Sequence, residues 1–299
     1  MIRPASPYRF VARVVAAAAV ALSAAACSTG PIPSGSAPVA HAVPARLTHT
    51  LPDDPVRMLF PATGAETRWT QGMDVLRQQA SRYAAASCAR DAGISLPEQM
   101  PVAFIPFGDI PDLDFIDRHG FGQSAEVPAP AAGALTARSG NPAAARSADP
   151  AAIRRCSDAG SAAARRTRDA FAPLQGEWFR ELASLRRDPA TIRALGTLPG
   201  CLAGHGFHVR DEDAFFGLVD SRLLTADTID LPRVNRELGH AYASCMRPVE
   251  AVREPARLRL RTRFVDEHAD QIRELRKTLV PSLRGTEEQY GLRLSFPAP

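Results

Sequence analysis

Cys27, Cys88, Cys156, Cys201 and Cys245 are the five residues of this chain with the widest choice of chemistry. A thiol can act as a nucleophile, ligate a metal, accept a lipid or form half of a disulfide, and its compartment and surroundings decide which. Cys27 follows a short apolar run and stands apart; the other four are an even number, which fits two disulfides. The best metal candidate is His205-x-x-His208 with Asp211 and Asp213, because imidazole and carboxylate are standard zinc ligands. Gly206 reads as a helix stop between the two histidines, so His205, His208 and Asp211 read first as an exposed polar turn. Cys201 is assigned to a disulfide, and no metal or other cofactor is assigned.

Other polar clusters carry plainer readings. Asp109, Asp112, Asp114 and Asp117 do not follow the twelve-residue calcium loop and lack its closing Glu, so helix capping is the simpler role. Asp266, Glu267, His268 and Asp270 fit the charged face of a helix. Arg253, Arg257 and Arg261 form an i,i+4 row suited to an anionic polymer, while the interleaved Glu250 and Glu254 favour a salt-bridged solvent face. The sequence contains no G-x-S-x-G elbow, H-E-x-x-H or phosphate loop. No catalytic residue is assigned.

The elements that must hold these residues begin with an export pattern. Arg3, Arg9 and Arg13 precede an apolar run from Val14 to Leu22, and the first acidic residue is Asp53. Ser23-Ala24-Ala25-Ala26-Cys27 resembles the lipobox of bacterial lipoproteins, with Ala24 where Leu is usual. That resemblance implies cleavage after Ala26 and acylation of Cys27. The alternative is a plain signal cut with Cys27 unmodified. Residues 28–52 are rich in Pro, Ser, Ala and Thr and contain no large apolar pattern, as a tether does. Loss of residues 1–26 removes three of 36 basic residues, leaving 33 against 32 acidic ones and a formal charge of +1. A nucleic-acid role is therefore not expected.

Helical periodicity dominates the remainder. Met73, Leu76, Ala80 and Tyr83 predict a helix over 70–92 that Gly93 stops. Asp149-Pro150 and Asp188-Pro189 are helix starts, and Pro199 must kink or restart the second. The longest pattern begins near Pro232 with Leu238, Tyr242, Cys245, Met246 and Val249, then resumes after Pro255 with Leu258, Val265, Ile272, Leu275 and Leu279. Residues 126–148 read as a Pro/Ala-rich loop. The spacing cysteine, four residues, glycine, large apolar residue occurs at Cys88–Ile94 and again at Cys201–Phe207. Such a glycine folds the next apolar residue back onto the helix end that carries the cysteine. Three pairings of four cysteines are open, and the repeat favours Cys88–Cys156 with Cys201–Cys245.

These segments resemble secreted and lipid-anchored proteins of actinobacteria that carry C-M-x-x-x-G-[FYW], a later helical cysteine and often a second copy. Ala89 and Leu202 stand at the Met positions, and Leu198 stands where Trp is usual. Arg118-His119-Gly120-Phe121-Gly122 and Cys245-Met246 are also similar. The resemblance implies an envelope location and a helical fold, and it brings no catalytic residues.

The expectation is a mainly α, disulfide-braced helical bundle with two similar halves, preceded by a signal peptide and a disordered tether. Its divisions are 1–26 (signal), 27–59 (tether anchored through Cys27), 60–175 (first half, with the loop) and 176–299 (second half). The expected role is a non-enzymatic binding or structural lipoprotein on the outer face of the cytoplasmic membrane, or a secreted one if Cys27 is not acylated. Its expected partners are the membrane, another envelope protein or an anionic wall polymer. An extracellular hydrolase or metal-dependent enzyme built from scattered His, Asp and Glu is the alternative.

Overall fold

Two helix stops with one geometry anchor the architecture. A computed structural model of the chain describes residues 46–97, 102, 104, 109–121 and 149–298. Helix α1 (Gly64–Asp91) carries Cys88 in its last turn. Gly93 follows at φ 63°, and the Ile94 N–H donates to the Ala89 carbonyl at 2.9 Å. Gly206 repeats this after α6 (Leu198–Gly204), at φ 86° with Phe207 N–H to Leu202 O at 2.9 Å. This six-to-one closure satisfies a terminal carbonyl and needs a left-handed residue. In both copies the accepting carbonyl lies one residue after the cysteine. Phe207 is buried as the motif requires, whereas Ile94 is only half-buried.

The remaining helices are α2 (Leu113–His119), α3 (Pro150–Arg168), α4 (Ala172–Ser184), α5 (Pro189–Leu195), α7 (Glu212–Thr225), α8 (Leu231–Glu267) and α9 (Ala269–Tyr290). The Asp-Pro starts behave as read: Asp149 and Asp188 cap α3 and α5 with proline in the first turn. Pro199 restarts the chain as α6. Strands β1 (Leu47–Thr48) and β2 (Phe296–Pro297) pair antiparallel, Leu47 with Pro297 and Thr48 with Phe296. Residues 47–59, read as the end of the tether, belong to the body. Val56, Met58 and Leu59 are buried because this segment supplies closely spaced large apolar groups. The Pro/Ala-rich loop, 126–148, lies outside the described residues.

Helix α8, about 55 Å long at the usual rise, passes through two apolar clusters. Leu238, Tyr242, Met246 and Val249 pack with Leu113, Ile116, Leu198, Leu202, Phe207 and Phe215. Further along, Leu260 and Phe264 pack with Phe60, Trp178, Ile272, Leu275 and Phe296. Each cluster draws on residues from both sides of position 175, and the 175/176 boundary falls inside α4. The apolar face of α4 (Leu174, Trp178, Leu182) is one stripe that cannot be divided.

Candidate functional site

Between the two apolar stretches of α8, the inward stripe is ionic. Glu250, Arg253 and Arg257 continue the three-four spacing from Met246 and Val249 and are 8%, 8% and 2% exposed. Arg257 donates to Glu250, while Arg253 lies 3.3 Å from the other carboxylate oxygen. Each guanidinium also donates to a backbone carbonyl: Arg257 Nε to Ala62 O at 2.7 Å, Arg253 Nη2 to Asp109 O at 3.0 Å. One turn further, Arg261 pairs with buried Glu66, whose carboxylate accepts the Ala62 N–H at 2.8 Å at the start of α1. The arginine row read as a solvent face thus points inward and joins α8 to the N-terminal segment. Thr63-x-x-Glu66, a helix-start signature, was the missed sign that α1 begins before residue 70. Beside Arg253 and Arg257 lies a recess of about 20 Å³, the scale of one water.

Glu212 and Tyr242 extend this seam. The Tyr242 hydroxyl donates to Glu212 Oε1 at 2.6 Å, and its ring is enclosed by Phe121, Phe215 and Phe216. Burial pushes the Glu212 carboxyl up, against the pull of the Tyr242 hydrogen bond and Arg253. Burial, with Glu212 behind it, also pushes the Tyr242 phenol well up, so it stays a donor. A carboxyl raised in the folded state binds its proton more tightly there than when unfolded. Its stabilising contribution is therefore full below the unfolded pKa and is lost as pH rises through the folded one. Glu212→Gln is expected to gain stability relative to the parent as pH climbs from 4.5, the ordinary value, through the raised one. Urea titrations of both proteins across that range check this; parallel curves contradict it.

The aspartates of the acidic turn have structural partners. Asp112 caps α2, accepting the Phe115 N–H at 3.1 Å, and Arg186 Nε donates to Asp109 at 2.8 Å. Arg247 bridges Asp114 at 2.8 Å and Asp117 at 3.3 Å. His240, on α8, faces Asp117 through Nδ1 at 2.8 Å. That hydrogen bond, with Arg247 beside it, holds the Asp117 carboxyl below the usual range. At the other helix junction, Glu267 and Asp270 pair with Arg263 and Arg273, and His268 reaches Glu177 at 3.7 Å.

Both expected disulfides are formed. Cys88–Cys156 joins α1 to α3, and Cys201–Cys245 joins α6 to α8. The polar turn expected to offer His205, His208 and Asp211 does not converge. Asp211 caps α7 by accepting the Ala214 N–H at 2.7 Å, and His208 is exposed. Among the described residues, the potential ligand atoms that cluster are those of Cys201, His205 and Cys245, within 4.8 Å of one another. Cys27 lies outside the described residues, and no helix among those described is long and apolar enough to cross a membrane. No protein-family model matches the chain, and no curated protein or solved structure matches it either.

Proposed function

We propose that this chain is an exported lipoprotein whose helical body serves the cell envelope as a non-enzymatic binding or structural module. The observation that carries the reading is the cysteine arrangement. All four cysteines of the body are consumed in two disulfides, which leaves Cys27, at the end of the export pattern, as the odd one. Structural disulfides belong to oxidising compartments, so the pairing supports export. Asp112 and Asp211 cap helices, and Asp114, Glu177 and His268 have ion-pair partners, which gives these residues structural roles.

The reading predicts that the parent protein fractionates with membranes and takes up an acyl label. Cys27→Ser should move to the soluble fraction and lose the label. Membrane retention with unchanged labelling in Cys27→Ser would sink the lipid assignment. Crosslinking in native membranes addresses the module itself: one specific envelope partner supports it, and metal-dependent turnover abolished by His205→Ala favours the enzyme.

A further inference from the structure

The Cys201–Cys245 bridge has the His205 imidazole at its edge and a second imidazole, His240, beside that one, and the chemistry of that grouping is unlike that of a bare structural disulfide. His205 lies one helical turn after Cys201, so the two side chains share a face of α6 and its cap. His240 precedes Cys245 on α8, and the His205 and His240 rings stand 6.1 Å apart, centre to centre, at 82°. Asp117 orients His240 through Nδ1 at 2.8 Å, which leaves Nε2 as the available donor atom. A carboxylate behind a ring nitrogen is the usual device for fixing a ligating histidine. Cys201 and His205 are exposed, so the site is reachable from solvent, while Cys245 is buried against the apolar cluster.

We propose that Cys201, His205, His240 and Cys245 form a zinc site that the disulfide keeps closed and reduction opens. Two thiolates and two imidazoles are a standard tetrahedral zinc set, with ligand atoms about 3.5 Å apart around the ion. The Cys201, His205 and Cys245 atoms, within 4.8 Å of one another, need shifts on the order of 1 Å to meet that geometry, and His240, which lies outside that group, needs a larger side-chain movement to join them. Opening requires a dithiol reductant. One of its thiolates attacks the exposed Cys201 sulfur, the S–S bond breaks and Cys245 leaves as thiolate. The second reductant thiol then releases Cys201, and the reductant departs as its own disulfide. Two electrons and two protons have entered the protein. Zinc binding displaces both thiol protons, so the site gains two thiolate–metal bonds and two imidazole–metal bonds. The Cys88–Cys156 bridge is not part of any such grouping among the described residues, so the property belongs to the second bridge.

The test uses the full-length protein in detergent, oxidised or reduced with a dithiol and then freed of it anaerobically. Zinc is titrated against a chromophoric chelator, and cobalt is used as a spectroscopic probe. The reduced protein is expected to bind one zinc with an affinity at least about 100-fold above the oxidised form, and to give the visible bands of tetrahedral thiolate-bound cobalt. Asp117→Asn is expected to weaken binding by about 10-fold or more, as loss of an orienting partner does. His205→Ala and His240→Ala should each weaken it further and alter the cobalt spectrum. Circular dichroism is recorded throughout. Tight zinc binding that is indifferent to both histidine variants would place the metal elsewhere and overturn the proposal. A reduced chain that binds no zinc, or that unfolds and is not restored by zinc, overturns it equally.

Discussion

Glu250→Ala is expected to destabilise the protein by about 3–5 kcal/mol, the range for removing one partner of a buried ion pair. The reason is specific to the stripe on α8. Glu250 faces two guanidinium groups, Arg253 and Arg257, that are at least nine-tenths buried. Arginine cannot shed its charge to relieve the loss. Two cations would lose their ion-pair partner between apolar clusters, keeping their hydrogen bonds to the Asp109 and Ala62 carbonyls and, for Arg253, the neighbouring Glu212. Replacing all three residues together, with Glu250→Leu, Arg253→Met and Arg257→Met, is expected to cost less than Glu250→Ala alone. Apolar side chains of similar volume avoid the desolvation that the ion pairs offset only in part. The exposed pair Arg233–Glu237 is the control, where removal should change stability by less than about 1 kcal/mol and depend on salt. Denaturant unfolding of the four proteins measures the set. A loss for Glu250→Ala no larger than that of the surface pair would show that the seam does not hold α8 to the N-terminal segment.

The second large effect is expected at the disulfides. Cys201 and Cys245 are separated by 44 positions and Cys88 and Cys156 by 68. Closing loops of that length removes unfolded-state entropy equivalent to about 4 kcal/mol each. Cys201→Ala with Cys245→Ala is expected to lose slightly less than the Cys88/Cys156 pair by that measure. Burial points the same way. Cys156 is buried and Cys88 half-buried, whereas Cys201 is exposed and only Cys245 joins the cluster of Leu198, Leu202, Phe207 and Met246, so removing the first bridge leaves the larger cavity. Thermal unfolding should therefore show the larger fall in Tm for the Cys88–Cys156 bridge; a larger fall for the Cys201–Cys245 bridge would contradict this.

How much of this was legible in the residues follows from which signals are local. Glycine stops, Asp-Pro starts and the two cysteine contexts depend on a few neighbouring residues, and these positions behave as their chemistry dictates. The long helix was legible up to Val249 and then lost phase. Its inward positions past Val249 are Arg253, Arg257, Leu260 and Phe264, whereas Leu258 is 36% exposed. A search for apolar periodicity must slip where the buried stripe turns ionic, because burial and hydropathy part company there. Glu250 lies on the same helix, but the other partners that make burial tolerable, Glu66 and the Asp109 and Ala62 carbonyls, lie more than a hundred positions away in the chain. The same limit hid the histidine pair. Proximity in sequence groups His205 with His208, but helix packing brings it to His240 instead. Asn235 was missed for a like reason: its amide accepts the Phe121 N–H at 2.7 Å and donates to His119 O at 3.0 Å, pinning a segment far off in sequence.

The central claim is an exported body braced by two disulfides and anchored through the fifth cysteine. Its most direct test is the intact mass of the protein extracted from membranes, taken before and after thiol alkylation without reduction. The mass should correspond to a chain beginning at Cys27 with acyl groups attached, and alkylation should add nothing. A mature chain with an unmodified Cys27, or one whose body cysteines take up the alkylating agent, would contradict the account.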